Sequence, residues 1–236
     1  MIRRLLHHLR SWLYQNPRPG LNDLDRKLEK YLKFRGGFFI EVGANDGYSQ
    51  SNTYFLENKL AWRGILIEGI PALYEECRRR RPRSTCYNCA LVDNEFTSRT
   101  VTMHYAGLMS VVDGALKTKE EQARHLRAGI DVQNLKSSHA VDVPARTLES
   151  ILDETQDLSS IDFFSLDVEG YELNVLKGLN LAKYRPQYIL AEARFFEEVD
   201  TFLQEHCYQL IEKLSIHDYL YRCCEQPTTR HDHALV

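Results

Sequence analysis

A chain of 236 residues with 43% hydrophobic content has apolar material for one sizeable core, and not clearly for two domains. Its 30 basic and 33 acidic side chains leave a formal charge of −3, so no global field gathers nucleic acid and no nucleic-acid partner is expected. No apolar run nears the ~20 residues that cross a bilayer, and the first residues lack the apolar core and cleavage site of a secretory signal, so a cytoplasmic location is expected.

Ile2, Leu5, Leu6, Leu9, Trp12 and Leu13 recur at helical spacing, with Arg3, Arg4 and Arg10 largely on other faces, until Pro17, Pro19 and Gly20 end the pattern. Such a helix packs on its own domain or on a partner in a homodimer; the alternative is peripheral contact with an anionic membrane surface. A second helix, "LNDLDRKLEKYL", aligns Leu21, Leu24, Leu28 and Leu32. Residues 1–35 are therefore expected to form an N-terminal helical extension, residues 36–222 the main domain, and residues 223–236 a loosely ordered tail. His231 and His233 in that tail read as solvated rather than metal-binding.

From Phe38, short apolar runs alternate with helical patterns: "FFIEV", "SNTYFLENKL", "GILIEG", "ALYEECRRRR", "CYNCALV", and later "TLESILDET", "IDFFSLDV", "ELNVLKGLN", "PQYILAEA" and "FEEVDTFLQEH". That alternation predicts an α/β fold with a parallel sheet buried on both faces. Arg78 to Arg81 and Arg83 read as a solvated face at a helix end. Cys86 and Cys89 form a C-x-x-C without a second pair and are expected to be structural, as are Cys223 and Cys224. The polar stretch 113–140 is expected to cover the cleft and to select the acceptor.

The loop "GANDG" follows the first strand directly, at the carboxyl edge where open α/β sheets bind ligands. Gly43 and Gly47 permit a sharp turn and close approach, and Asn45 and Asp46 supply short polar side chains. The pattern is not G-x-G-x-x-G, and no lysine follows as in a phosphate loop. Glu41 and Asp46 would repel a pyrophosphate but suit an amine or a sulfonium, while Glu68, ending the second strand, can accept both hydroxyls of a ribose. A nucleoside with a positively charged appendage fits, and S-adenosylmethionine is such a molecule. Further along, "IDFFSLDVEGYELNVLKGL" ends a buried strand in Asp167 and Glu169; at i and i+2 on a strand both would face the cleft, with Glu169 or Glu172 also capping the next helix.

The strings "FIEVGANDG", "ILIEGIP" and "IDFFSLDVEGYELNVLKGL" resemble the FkbM family of S-adenosylmethionine-dependent methyltransferases, in the family's order, over about Gly36 to Tyr221. The resemblance implies the class I methyltransferase fold, a Rossmann-like α/β sheet of seven mostly parallel strands with helices on both faces, its last strand reversed within "CYQLIEKLSIHDYLYR". It also implies methylation of a hydroxyl on a sugar, glycan or natural product, so the partner is a small-molecule or glycan acceptor. Glu41, Gly43, Asn45 and Gly47 would then surround the methionine end of the cofactor and Glu68 its ribose. Ala90 and Leu91 would wall the adenine, Ser110 would bond near the carboxylate, and Asp167 and Glu169 would lie at the junction with the acceptor.

An alcohol needs help losing its proton, either from a general base, with Asp167, Glu169 or His139 as candidates, or from a divalent ion such as magnesium. The metal set would be Asp167, Glu169 and Glu192, but Ala193 stands where catechol-type enzymes place a further oxygen ligand, so metal-free catalysis is the preferred reading. Two competitors are a non-catalytic binding or scaffold protein that keeps the fold, and an NAD-dependent oxidoreductase. The cleft acids argue against the first, and the glycine pattern against the second.

Overall fold

The structure, a computed structural model, describes residues 16–156 and 158–224. The helix expected before Pro17 falls mostly outside the described residues, as do His231 and His233.

Seven strands form the main sheet: β1 (Phe38–Val42), β2 (Arg63–Ile67), β3 (Thr85–Tyr87), β8 (Phe163–Leu166), β9 (Tyr188–Glu192), β10 (Tyr208–Lys213) and β11 (Asp218–Cys223). Their order is β10-β11-β9-β8-β1-β2-β3. The pairs β1–β2, β1–β8, β2–β3 and β8–β9 are parallel, whereas β11 runs antiparallel to both β9 and β10. The reversed strand lies where the resemblance put it. The central strands are almost wholly apolar because both faces are covered, and alternation along them divides the core. Ile40, Val42, Phe164 and Leu166 face a cluster completed by Val175 of α6 (Glu172–Lys177) and by Val199 and Leu203 of α7 (Phe196–Glu205).

Phe39, Leu66, Phe163 and Leu190 face the other way, onto α1 (Leu24–Leu32), α2 (Tyr54–Leu60) and α3 (Pro71–Arg80). Leu24, Leu28 and Leu32 of α1 are no more than 3% exposed, each leucine stabilising by about 1.5–3 kcal/mol. The segment set apart as an extension therefore includes a helix that closes one face of the sheet.

"CYNCALV" does not run as one strand. After β3 the chain leaves the main sheet, and β4 (Ala90–Leu91) joins a second sheet of order β4-β7-β5-β6 with β5 (Thr100–Tyr105), β6 (Val111–Val112) and β7 (His139–Arg146). Helix α4 (Lys119–Gln133) backs this sheet; Thr118 caps its start by accepting from the Glu121 amide, and Asn134 ends it in the left-handed region. A short helix α5 (Leu148–Asp153) returns the chain to β8. Cys86 packs its sulfur 3.8 Å from Cys77 of α3 rather than pairing with Cys89, and all six cysteines are free. No helix among the described residues is long and apolar enough to cross a membrane.

The arginine run departs from the sequence reading in one residue. Arg78 and Arg80 pair with acids near the surface, but the Arg81 side chain is 1% exposed and enters the space under the β1 loop. Its Nε donates to Glu57 at 2.8 Å, Nη2 to Thr53 Oγ1 at 2.8 Å, and Nη1 lies 3.2–3.3 Å from Glu41, the Gly47 carbonyl and Ser51. Five donors in a planar fork satisfy this many acceptors, which a lysine cannot do. Removing one partner of a buried ion pair strands the others, so Arg81→Leu is expected to lose about 3–5 kcal/mol of stability. Urea unfolding checks this, and a loss below about 1 kcal/mol would mean that the network is not holding the loop.

Candidate active site

A cleft, partly open to solvent, lies at the carboxyl edge of β1, β2 and β8. Its walls include the β1 loop, the residues after β2 and β8, Ala90 and Leu91, and the turn between β5 and β6. Four carboxylates line it, Glu41, Glu68, Asp167 and Glu169, and no lysine, arginine or histidine does so among the described residues.

The β1 loop is shaped from below. Glu41 is 5% exposed, and its carboxylate accepts from Ser51 Oγ, the Asn52 amide, Thr53 Oγ1 and Arg81. It holds the loop's return path as well as lining the cleft. Gly43 has φ +83°, and a Cβ there would lie 1.9 Å from the Asp167 carbonyl oxygen, so the glycine is demanded by contact between the β1 and β8 loops. Asn45, also left-handed at φ 49°, reaches the cleft and donates its amide to Glu68 at 2.7 Å.

Asp46 and Gly47 do not line the cleft, which corrects their assignment to the cofactor. The Asp46 carboxylate accepts from the Tyr48 and Ser49 amides and pairs with Arg80, so it caps a turn. Burial pushes its pKa up, but these bonds outweigh burial and leave it below the ordinary range. A Cβ on Gly47 would lie 3.0 Å from the Cys77 Cα, so this glycine serves the packing of α3.

Glu68 is 6% exposed and bridges two loops, accepting from the Asn45 and Ile70 amides at 2.7 Å each. Burial pushes its pKa up to about 7 against those hydrogen bonds. Each oxygen keeps a lone pair for a hydroxyl donor.

Strand β8 ends at Leu166, so Asp167 and Glu169 are brought together by a loop and not by strand alternation. Glu169 has φ +56°, costly for a residue with a Cβ by about 1–3 kcal/mol, and such strain marks functional loops. Glu172 pins this turn by accepting from the Val168 and Gly170 amides; both precede α6, whose N-cap Tyr171 makes no side-chain cap, so the capping expected of Glu169 or Glu172 is replaced by bonds within the loop. Burial, then the charges of Glu192, Glu169 and Glu172, push Asp167 well above the ordinary carboxylate range. Asp167 shares a hydrogen bond with Glu192, so that pair retains a proton. Burial and then Glu192 push Glu169 up to about 7, with Arg194 opposing. Glu192 itself does not line the cleft, and no group of three or more His, Cys, Asp or Glu side chains among the described residues could hold a metal ion, so Asp167, Glu169 and Glu192 do not assemble as ligands.

His139 is corrected as a catalytic candidate: it is exposed at the start of β7, its ring 5.1 Å from that of Tyr105, and it does not line the cleft. Ser110 lines the cleft, but its hydroxyl donates to the Gly107 carbonyl at 2.7 Å and accepts from the Ala106 amide, so no hydrogen is left for a cofactor carboxylate. It stabilises the turn Gly107–Met109 instead.

Residues that sequence reasoning missed hold the cover. Met103, Gly107, Leu108 and Val112 line the cleft, while residues 113–140 supply helix α4 behind them. Gln133 accepts from the Leu108 amide at 2.7 Å and donates to the Ala106 carbonyl at 2.8 Å. The buried His125 donates from Nε2 to the Met109 carbonyl at 3.0 Å and accepts at Nδ1 from Arg194 at 3.1 Å, a tautomer inferred from these partners. Burial and then Arg194 lower its pKa, so it is a neutral strut. Arg194 lies 3.6 Å from Glu169 Oε2, joining cover, β9 loop and β8 loop. A helical face holding His125 and Gly129 one turn apart was a faint signal, since a Cβ at Gly129 would sit 3.0 Å from Ala106 and Met109.

The strand order with a reversed β11 and a cleft at the β1 and β2 carboxyl ends defines a class I methyltransferase fold. The chain belongs to the FkbM methyltransferase family: the Methyltransferase FkbM domain matches residues 41–222. Solved structures similar to it include the human methyltransferase 10 domain containing protein, at 9% identity over 86% of this chain and 80% of that one, with a TM-score of 0.46. A SAM-dependent methyltransferase from Aquifex aeolicus matches at 10% identity over 89% and 93%, with a TM-score of 0.40. Aeropyrum pernix fibrillarin, in complex with natively bound S-adenosyl-L-methionine, matches at 13% identity over 84% and 74%, also at 0.40. No curated protein matches the chain.

Glu68, Glu169 and Glu172 each hold a proton up to about pH 7 in the folded chain against an ordinary 4.5. Folded pKa values above unfolded ones give stability that is present below about pH 4.5 and lost as pH rises through about 7. The Tm of the ligand-free protein is expected to fall across that window, measured by thermal unfolding in a constant-ionic-strength buffer series. A Tm that climbs steadily through it would contradict this electrostatic picture.

Proposed function

We propose that the protein is an S-adenosylmethionine-dependent O-methyltransferase acting on a hydroxyl of a sugar, glycan or natural product. The observation that carries this is the cleft itself, lined by four carboxylates and, among the described residues, by no basic side chain. Such walls repel a pyrophosphate or a phosphorylated acceptor and favour a cationic nucleoside and an uncharged polyol. The residues present fit that cofactor: Glu68 offers two oxygens to ribose hydroxyls, and Ala90 and Leu91 an apolar wall to adenine.

When bound, the cofactor supplies a sulfonium methyl already activated for transfer. The chain then has to align the acceptor oxygen and take its proton. Glu169 is the base, because it lines the cleft and has a pKa of about 7, whereas Asp167 holds a proton with Glu192 and cannot accept another. Asp167 maintains the contact of the two loops at Gly43, and Gly107 and Leu108 contribute to the cleft wall.

Methyl transfer to a panel of glycosides and polyhydroxylated natural products, followed by mass spectrometry, tests the reading. With a working acceptor, Glu169→Gln is expected to lower turnover by about 10²–10⁴-fold while S-adenosylhomocysteine binding is retained. Full activity in that variant would remove Glu169 from the role of base. Folded wild type that binds S-adenosylhomocysteine but methylates nothing in the panel, phosphorylated compounds included, would favour a non-catalytic binding protein.

A further inference from the structure

We propose that Cys77 and Cys86 form a redox modification site, closed into a disulfide by a hydroperoxide and reopened by an external thiol. The two sit on different elements that pack together, Cys77 in the last turn of α3 and Cys86 in the middle of β3. Their sulfurs lie 3.8 Å apart, and both are free thiols. That is direct contact, against about 2.05 Å for the bonded pair.

Access differs between the two in the order that the chemistry needs. Cys77 is 0% exposed, enclosed with Phe39 and Leu66 in the core on that face of the sheet. Cys86 is half-buried on β3, the strand that ends the seven-stranded order and pairs on one side only, with β2. An oxidant arriving from solvent meets Cys86 first.

The charges agree with that order. The hydrogen bond from Cys77 is the largest effect on Cys86 and holds its thiol below the ordinary range; burial and Glu57 oppose it, while Arg81 and Arg78 add to it. The same hydrogen bond, and then burial, push Cys77 far up. The pair therefore loses its first proton at Cys86, which is the nucleophile. A thiol that only fills the core behaves differently: burial pushes Cys89 up to about 12.

The Cys86 sulfur takes the outer oxygen of the hydroperoxide as the O–O bond breaks, and the alcohol leaves, or water where the oxidant is hydrogen peroxide. The Cys77 sulfur then attacks that of Cys86, forming the S–S bond and expelling the oxygen as water. Two electrons pass from the thiols to the peroxide, and both thiol hydrogens end in the released products. The bond forms behind the β1 loop. A Cβ on Gly47 would lie 3.0 Å from both Cα and Sγ of Cys77, and the Cys77 carbonyl accepts from the Arg81 amide at 2.9 Å. The disulfide thus ties the edge strand to the helix end that carries the buried guanidinium.

Treatment of the folded full chain with hydrogen peroxide, followed by alkylation, trypsin and mass spectrometry, tests the proposal. Trypsin cuts within the arginine run between Cys77 and Cys86, so a link appears as two joined peptides. The expected result is a joined pair lighter by two hydrogens, separated again by dithiothreitol. Cys86 shares its peptide with Cys89, so Cys89→Ser is expected to keep the link and Cys86→Ser to abolish it. Cys77→Ala is expected to stop the reaction at a Cys86 sulfenic acid, trapped by dimedone; should that variant not fold, Cys86→Ser carries the comparison, with Cys77 left reduced. A link through Cys89, oxidation of Cys86 with no link, or a chain whose Cys77 and Cys86 stay reduced while the exposed Cys207 and Cys224 are oxidised would each overturn the proposal. A link that forms only in urea would do the same.

Discussion

One guanidinium placed between two carboxylates under the β1 loop is the constraint on which the cleft depends. Arg81 reaches inward from the end of α3 and ties Glu41 of β1 to Glu57 of α2, while Thr53, Ser51 and the Gly47 carbonyl fill its remaining donors. With that network in place the loop after β1 can pass close enough to the β8 loop for Gly43 to meet the Asp167 carbonyl. The cleft-lining residues Asn45, Asn52 and Glu68 are thus set by hydrogen bonds of the folded interior.

The second consequence is electrostatic. Two carboxylates on one arginine leave negative charge beneath a cleft already lined by Glu68, Asp167 and Glu169. Burial raises the pKa values of these three acids, so near neutrality the unliganded site holds protons that a cationic ligand would displace. Glu68 and Glu169 are both pushed up to about 7, and of the two it is Glu169 that adopts the left-handed backbone conformation, at φ +56°. Helix α4 holds the other wall through Gln133 and His125, and His125 connects it to the carboxylate loops by way of Arg194.

The main sheet was legible because its strands are short, apolar and separated by helical periods, and because each functional loop follows a strand directly. Glu41, Gly43, Asn45, Glu68, Ala90, Leu91, Asp167 and Glu169 do meet at one cleft. What could not be read was side-chain direction. Asp46 and Gly47 sit in the same motif as Gly43, yet turn toward Arg80 and Cys77, since the loop reverses between them. Arg81 looked like the last of a solvated run, because nothing in a string of arginines marks the one that a neighbouring pair of acids draws inside. The second sheet was missed where "CYNCALV" changes sheets between Tyr87 and Ala90, a bend without a proline or glycine to announce it. His125 and Arg194 are 69 residues apart, and only tertiary packing makes them neighbours.

The proposal that a cleft lined by four carboxylates, and by no basic side chain among the described residues, selects a cationic nucleoside is tested most directly by titrating the purified chain with S-adenosylmethionine and, in parallel, with NAD. Saturable binding of S-adenosylmethionine with no detectable binding of the dinucleotide is the expected result. Binding of NAD with equal or higher affinity, or no heat from S-adenosylmethionine with folded protein, would contradict it.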